Sequence, residues 1–434
     1  MVDATFERVR QLARLDCPED GEAHDERTKH HHSRTRALSP APGCRPGDTR
    51  HNRGAVGPIV NISDLRRRAR RRLPKVVFDF IDGGAMDERT LAANRADFEA
   101  WELLPKMLVD VSQRSLKTTV LGREISMPLM VAPTGISGLA TPQGELHAAR
   151  AAKEAGTVYC LSTTATCSIE EIAAATGEPF WFQLYVMRDR GVTRSMVERA
   201  AAAKCGALVL TIDLAVQGRR ERDVYNGFTV PPRVTARNVL EVLARPRWML
   251  DMALGPRMTF ANFTDAITAG GGFINLGKHI NSQFDQSVTW KDVDWLRSIF
   301  PGPLVIKGVL TAHDAKLAAE HGAAAVIVSN HGARQLDHVP SSIRALPEVV
   351  EAVGNQLEVY LDSGVRRGSD IAKALALGAR AVLVGRPFLY GLGALGPGGA
   401  ARALEILRDE LDNCVALLGA PSVAALDSSF IRRR

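Results

Sequence analysis

Three times in this chain a helix-like segment stops at glycine and is followed at once by alanine and an apolar run: Gly206-Ala-Leu-Val-Leu-Thr-Ile, Gly322-Ala-Ala-Ala-Val-Ile-Val and Gly378-Ala-Arg-Ala-Val-Leu-Val. A strand with one wet face alternates apolar and polar residues. A strand that is apolar throughout is covered on both faces, as in a parallel sheet wrapped in helices. Parallel neighbours need a crossover rather than a tight turn, so each strand calls for its own helix. The helices are legible too. Ser168-x-x-Glu171 is a capping box opening a helix that Gly177 closes, and helices over 193–204, 311–321 and 369–377 end at Gly206, Gly322 and Gly378.

Eight apolar runs fit the pattern: Leu129–Ala132, Val158–Leu161, Phe180–Leu184, Leu208–Ile212, Leu304–Ile306, Val326–Val328, Val359–Leu361 and Ala381–Val384. Eight strand–helix units across about 260 residues predict an α/β fold of the TIM (β/α)8 barrel type. A doubly wound sheet is the rival, and no Gly-x-Gly-x-x-Gly turn follows the first strand to support it. Between the fourth and fifth strands the gap widens, which places an insertion at about 219–300 on the face where the fourth strand ends.

Upstream the texture changes. Residues 1–58 hold five of the 22 prolines and show no apolar period beyond a short helix near Phe6–Leu15, so they read as a disordered extension. His30, His31 and His32 read as a solvated run rather than a metal site. Residues 59–126 are expected to be a helical segment packing on the barrel of 127–434. It contains an arginine-rich helix over Asp64–Leu73 capped by Ser63, and a second helix from Lys75 to Ile81 stopped at Gly83-Gly84.

Composition narrows the function classes. A hydrophobic share of 45% and a charged share of 24% exclude a fibrous or wholly disordered chain. The net charge of +7 suits anionic small molecules or a membrane surface. No basic run is interleaved with aromatics, and Arg66–Arg72 reads as a solvated helix face, so no nucleic-acid partner is expected. The six cysteines lack C-x-x-C spacing and scaffold density, which points to a reducing, cytoplasmic setting. No N-terminal apolar stretch resembles a secretory signal, and no apolar run is long enough to span a bilayer.

In a TIM barrel the chemistry sits just after the strands. Here the strand ends read Pro133-Thr134-Gly135, Ser162-Thr163-Thr164, Gln183-x-Tyr185, Thr211-x-Asp213, Lys307-Gly308, Ser329-Asn330-His331-Gly332, Asp362-Ser363-Gly364 and Gly385-Arg386. The turns after strands seven and eight are a phosphate place, with backbone N–H groups, a helix start and a guanidinium fork from Arg386 or Arg366. Lys307, inside the barrel, is assigned to ligand contact, with an ion pair to Asp362 as the alternative. His331 shares a face with Asp213, which can orient and charge-stabilise its imidazole. Arg220 and Arg334 then offer two planar forks for a carboxylate. Such a set points to oxidation or proton removal alpha to a carboxylate. No Gly-x-Ser-x-Gly turn supports hydrolysis, and no His/Asp/Glu cluster has metal spacing.

At these residues the sequence resembles the FMN-dependent α-hydroxy-acid dehydrogenase/oxidase family, which includes glycolate oxidase, L-lactate dehydrogenase and mandelate dehydrogenase. The resemblance runs from about Asn61 to Phe430. It is carried by Ser-Asn-His-Gly-Ala-Arg-Gln-Leu-Asp (329–337), Trp-Phe-Gln-Leu-Tyr (181–185), Asp-Ser-Gly-Val-Arg-Arg-Gly (362–368) and Asp-Gly-Gly-Ala (82–85). It implies FMN as cofactor, with the phosphate at Gly364, Arg366, Gly385 and Arg386. The ring would rest against Pro133, Thr134 and Gly135, with contacts from Ser162, Gln183, Thr211 and Lys307, and with Ser329 and Asp362 in the same cradle. It implies His331 as base paired with Asp213, Arg334 and Arg220 on the substrate carboxylate, and Tyr185 near the hydroxyl. Lys307 would lie beside the flavin N1 side. It also implies an (S)-2-hydroxy-acid substrate and a homotetramer.

One departure stands out. The family's Tyr-Asp-Tyr in the N-terminal helix is Phe78-Asp79-Phe80 here, so Phe80 in the substrate pocket cannot donate to a carboxylate. That favours a larger or more apolar acid. Gly135 stands where dehydrogenase members tend to have Gly and oxidases Ala. The insertion between Phe228 and Asn262 carries five arginines against two acids, with Trp248, Met249, Leu250 and Met252, and its Pro-Arg-Trp at 246–248 looks like the same segment in membrane-associated members. The expectation is a peripheral enzyme on the inner face of the cell membrane that passes electrons to a quinone. The alternative for the insertion is an ordinary barrel lid whose apolar residues cover the active site; for the function, a soluble peroxide-producing oxidase, or a relative acting on an amine or modified peptide.

Overall fold

A computed structural model describes residues 57–228, 235–256, 258–263 and 282–434. The chain divides into two units, Met1–Pro58 and Ile59–Arg434. The disordered extension expected at the N-terminus lies, up to residue 56, outside the described residues.

All eight expected strands form: β1 Leu129–Val131, β2 Cys160–Ser162, β3 Trp181–Leu184, β4 Ala207–Thr211, β5 Leu304–Val309, β6 Ala325–Val328, β7 Glu358–Leu361 and β8 Ala381–Val384. From β2 through β8 each pairs in parallel with the next, and β8 returns to β1. The seam between β1 and β2 is held by one bridge, Val131 to Tyr159, with the Val131 N–H donating to the Val158 carbonyl at 2.9 Å. The result is a nearly closed TIM barrel.

The period of two in each strand sorts its residues. Val209, Val305, Ala325, Ile327, Tyr360, Ala381 and Leu383 belong to an inner cluster filling the barrel. Leu208, Leu210, Leu304, Ile306, Val326, Val328, Leu361, Val382 and Val384 belong to the outer core under the helices. Both sets are buried, which is why the strands read as continuous apolar runs. At the N-terminal end an antiparallel hairpin, Thr118–Val120 against Arg123–Ile125, adds Val120 and Ile125 to the inner cluster.

Helix starts differ from expectation where a better cap was available. The arginine-rich helix spans Ile62–Arg72 and is capped by Asn61, not Ser63. The Asn61 side chain accepts from the Asp64 N–H at 3.0 Å, and the Asp64 carboxylate accepts from the Asn61 N–H at 3.2 Å. The helix expected from Thr193 begins at Arg190, because the Asp189 carboxylate accepts from the Gly191 N–H at 2.8 Å. Ser168 and Glu171 form their box as read, and Gly177 closes that helix with φ of 62°.

Residues 290–299, counted within the insertion from sequence, form a regular helix beside Arg190–Ala202, opened by a box between Thr289 and Asp292. This is the helix that a βα unit needs between β4 and β5. Ahead of it the insertion contributes helices Glu221–Tyr225, Ala236–Leu243 and Pro246–Leu254. Trp248, read either as part of a membrane-facing amphipathic stretch or as part of a barrel lid, is buried, its indole N–H donating to the Leu139 carbonyl at 2.9 Å. Met249 and Met252 also pack on the core, while Leu240, Leu243, Leu250 and Leu254 are exposed. Among the described residues no helix is long and apolar enough to cross a membrane.

Candidate active site

The period that fills the barrel also builds its C-terminal mouth. Two residues beyond an inward apolar residue lies the next inward position, and there the sequence turns polar: Ser162 after Cys160, Gln183 after Trp181, Thr211 after Val209, Lys307 after Val305, Ser329 after Ile327 and Asp362 after Tyr360. Contacts across the mouth follow. The Ser162 hydroxyl donates to Gln183 Oε1 at 3.1 Å, and Lys307 Nζ donates to Ser329 Oγ at 2.9 Å. Lys307 Nζ also lies 3.1 Å from Asp362 Oδ2, so the ion pair held as the alternative is present. Burial alone would lower the Lys307 pKa, but Asp362 and Asp213 outweigh it and hold it above the ordinary value.

His331 sits in the left-handed region at φ of 58°. Its Nδ1 is 2.7 Å from Asp213 Oδ1, and a carboxylate only accepts, so Nδ1–H is the donor. Nε2 is thereby left as the basic nitrogen, 3.4 Å from the Tyr185 hydroxyl. Burial pulls the His331 pKa below its usual value despite the pull of Asp213 in the other direction. The imidazole is therefore neutral near pH 7, as a base must be. Asp213, although burial works against its charge, is held below the usual carboxylate range by His331 and Lys307.

The arginines are unusual in having carboxylates near enough to act through charge, Asp223 on Arg220 and Arg334 and Asp370 on Arg366, yet not as direct ion partners. Among the described residues none lies within ion-pair distance of Arg220, Arg334, Arg366 or Arg386. Burial pushes Arg334 well down, and Arg220 and Arg386 add to the effect. Arg334 Nη1 donates to the Phe80 carbonyl at 2.6 Å, and the guanidinium lies 4.9 Å from the Phe80 ring centroid. Arg220 is likewise lowered by burial. Arg386, expected as a phosphate fork, has three donors committed to the carbonyls of Ile81, Gly332 and Gly83 at 2.8–2.9 Å. It acts as a strut between the N-terminal helix Lys75–Asp82 and the His331 loop. Arg366 donates to the Val365 carbonyl at 2.7 Å, and burial lowers its pKa to about 10. Helices Gly368–Ala376 and Arg386–Leu395 begin beside it, the second at Gly385.

These features fit FMN. Half-buried Arg366, with no carboxylate in ion-pair distance among the described residues, stands near the start of helix Arg386–Leu395, a setting that suits a phosphate dianion; the start of Gly368–Ala376 is already capped by Asp370 and Glu410. Within the mouth, buried Gln183 Nε2, Thr211 Oγ1 and Asp213 Oδ2 have no hydrogen-bond partner, an arrangement that polar edges of a bound ring can satisfy. Pro133, Thr134 and Gly135 follow β1, and a methyl on Gly135 would overlap the Thr164 hydroxyl.

The sequence reading passed over two residues that shape this site. Gly308 is at φ of 106°, and a Cβ there would come within 2.8 Å of the Asp213 side chain, so the close approach of Asp213 to β5 requires glycine. Gln335 is buried between the loops carrying Asp213 and Arg220. A glycine after the inward Lys307 was a signal for the first. For the second nothing local was available.

Comparison with known proteins agrees with this geometry. The sequence profile of the FMN-dependent dehydrogenase family matches residues 69–433. An L-lactate dehydrogenase of Caulobacter sp. (strain K31) is 43% identical over 376 residues, covering 86% of this chain and 99% of that protein. Glycolate oxidase of Spinacia oleracea is 44% identical over 373 residues, covering 86% and 95%. The crystal structure of the monotopic membrane protein (S)-mandelate dehydrogenase superimposes with a TM-score of 0.83 at 42% identity, covering 87% of this chain and 100% of that one. The chain therefore belongs to the FMN-dependent dehydrogenase family, whose members oxidise 2-hydroxy acids with FMN.

Proposed function

We propose that this enzyme oxidises an (S)-2-hydroxy acid with a bulky apolar substituent to the 2-oxo acid, and hands the electrons to a quinone-type acceptor at the inner face of the cell membrane. The observation that carries the reading is the meeting, at one barrel mouth, of a neutral His331 held by Asp213 and two guanidiniums with no carboxylate in ion-pair distance among the described residues. Arg334 and Arg220 bind the substrate carboxylate, which supplies the direct ion pair that Asp223, acting on them only through its charge, does not make. Tyr185 hydrogen-bonds near the hydroxyl. His331 Nε2 takes a proton from the substrate, and Asp213 stabilises the imidazolium that results. Bound FMN supplies the acceptor for the two electrons. Lys307, its pKa held above the ordinary value, would offer that ring a fixed positive charge, while Gln183, Thr211 and Ser162 would hold its polar atoms and Arg366 its phosphate.

Two features support a bulky apolar substituent. Phe80 pairs with Phe228 at 5.0 Å between centroids, and Tyr185 with Phe284 at 5.0 Å, so aromatic surface from the N-terminal helix and from the insertion walls the site. Phe80 offers the carboxylate no hydroxyl. Membrane contact is supported by the outward leucines 240, 243, 250 and 254, by exposed Arg247, and by the similarity to (S)-mandelate dehydrogenase, a monotopic membrane protein. A homotetramer belongs to the same proposal. The test measures turnover of mandelate, lactate and glycolate under air and with a quinone analogue, beside flotation on anionic liposomes. Quinone-dependent turnover, greatest with mandelate, and co-flotation are expected. Fast peroxide production without liposome binding would assign a soluble oxidase instead.

A further inference from the structure

Gln335, four residues after His331, is 8% exposed and uses its whole amide. Nε2 donates to the carbonyls of Asp213 at 3.2 Å and Val216 at 3.1 Å. Oε1 accepts from the Gly218 N–H at 3.4 Å and from Arg220 Nη2 at 3.3 Å. Two donors meet carbonyls and the oxygen meets N–H groups, so the flipped amide would place NH2 against two donors and is excluded. The backbone beside it cooperates. Arg220 Nε donates to the Arg334 carbonyl at 3.3 Å, and a side chain on Gly218 would overlap the Arg334 carbonyl and come within 2.6 Å of Gln335 Cα. The segment 213–220 is thus fastened against 334–335 through one side chain.

Its ends matter. At one end is Asp213, which holds the His331 imidazole; at the other is Arg220, one of the two carboxylate forks of the reading above. Among the described residues no carboxylate lies within ion-pair distance of the Arg220 guanidinium, on which Asp223 acts only through its charge, so its aim depends on hydrogen bonds to neutral partners, Gln335 Oε1 and the Arg334 carbonyl. We infer that Gln335 is a positioning residue that sets the spacing between the carboxylate fork and the base, so that an acid held at Arg220 and Arg334 presents its 2-carbon to His331 Nε2. It does this without touching the substrate.

The inference rests on the 2-hydroxy-acid reading, and the experiment separates the two. Oxalate, an unreactive dicarboxylate, is titrated into FMN-loaded wild type, Gln335→Met, Arg220→Met and the double variant, and followed by the perturbation of the flavin absorbance. Gln335→Met keeps the volume and removes all four hydrogen bonds. The expected result is about tenfold weaker oxalate binding in Gln335→Met, the effect of one hydrogen bond to a charged group, and less than twofold further loss when Arg220 is already Met. Substrate KM should rise with it while the thermal midpoint of the holoenzyme moves little. Gln335→Glu keeps the length and sets a carboxylate against Arg220. It should weaken oxalate further by competing for the guanidinium, and it serves where the Met variant does not fold. Oxalate affinity within twofold of wild type in the variant, or an equal loss with and without Arg220, overturns the positioning role. Failure of oxalate to bind wild type would overturn the carboxylate reading beneath it.

Discussion

The same eight strands end in two different chemistries. At the N-terminal end the hairpin closes the barrel with Val120 and Ile125, and the rings of Trp181 and Tyr360 pack at 5.6 Å. Polar groups there are matched in place: the Tyr360 hydroxyl donates to Glu358 at 2.6 Å, and the Leu121 N–H donates to the same carboxylate at 3.2 Å. At the C-terminal end, a few residues along each strand, three buried polar atoms lack partners and, among the described residues, Arg220 and Arg334 have no carboxylate in ion-pair distance. A fold selected only for stability would not leave both kinds of deficit at one end. The lower end specifies the barrel, and the upper end holds its unmet valences for ligands.

The contrast can be broken by exchanging effects between the two ends. His331→Gln should load FMN and melt near wild type, yet lose flavin reduction by about 10²–10⁴-fold, the range for a general base. In wild type the acid limb of kcat/KM should have its midpoint below 6.5, because burial lowers the His331 pKa and activity requires the unprotonated ring. A midpoint above 7 would remove His331 from that role. Trp181→Ala should do the reverse, costing about 3–5 kcal/mol of stability in denaturant melts while residual folded enzyme keeps its kcat. If it instead spared stability and abolished turnover, the division between the ends would be wrong.

How much of this was legible follows the range of the interactions. Strands, caps such as Ser168 with Glu171, and the ring of polar strand ends depend on neighbours a few residues apart, and the sequence displays them. Partners distant in sequence were harder. Arg386 spends its donors on Ile81 and Gly83, some 300 positions away, so a residue read as a phosphate fork is also a strut. Trp248 reads equally as amphipathic surface or as barrel lid until Leu139 is brought against it. The Lys307–Asp362 pair joins β5 to the end of β7, and sequence alone left it an alternative to ligand contact. Gln335 organises a loop more than a hundred residues upstream, and no spacing announces that.

Smaller effects sharpen the account of the upper end. Arg334→Lys should raise KM about tenfold with a lesser change in kcat, since an ammonium lacks the planar fork and cannot serve both the Phe80 carbonyl and a carboxylate. An unchanged KM would place the carboxylate elsewhere. Phe80→Tyr is expected to favour lactate and glycolate over mandelate by a few-fold, about the value of one added neutral hydrogen bond. An unaltered preference among the three acids would assign selectivity to the Phe228 and Phe284 walls.

The most direct measurement is anaerobic titration of the FMN-loaded enzyme with the two enantiomers of mandelate, followed at the flavin absorbance. The arrangement of His331, Arg220 and Arg334 predicts full bleaching by the (S) acid at one equivalent per flavin and none by the (R) acid. A flavin that stays oxidised with both enantiomers, and with lactate and glycolate, would contradict the assignment of this barrel mouth to 2-hydroxy-acid oxidation.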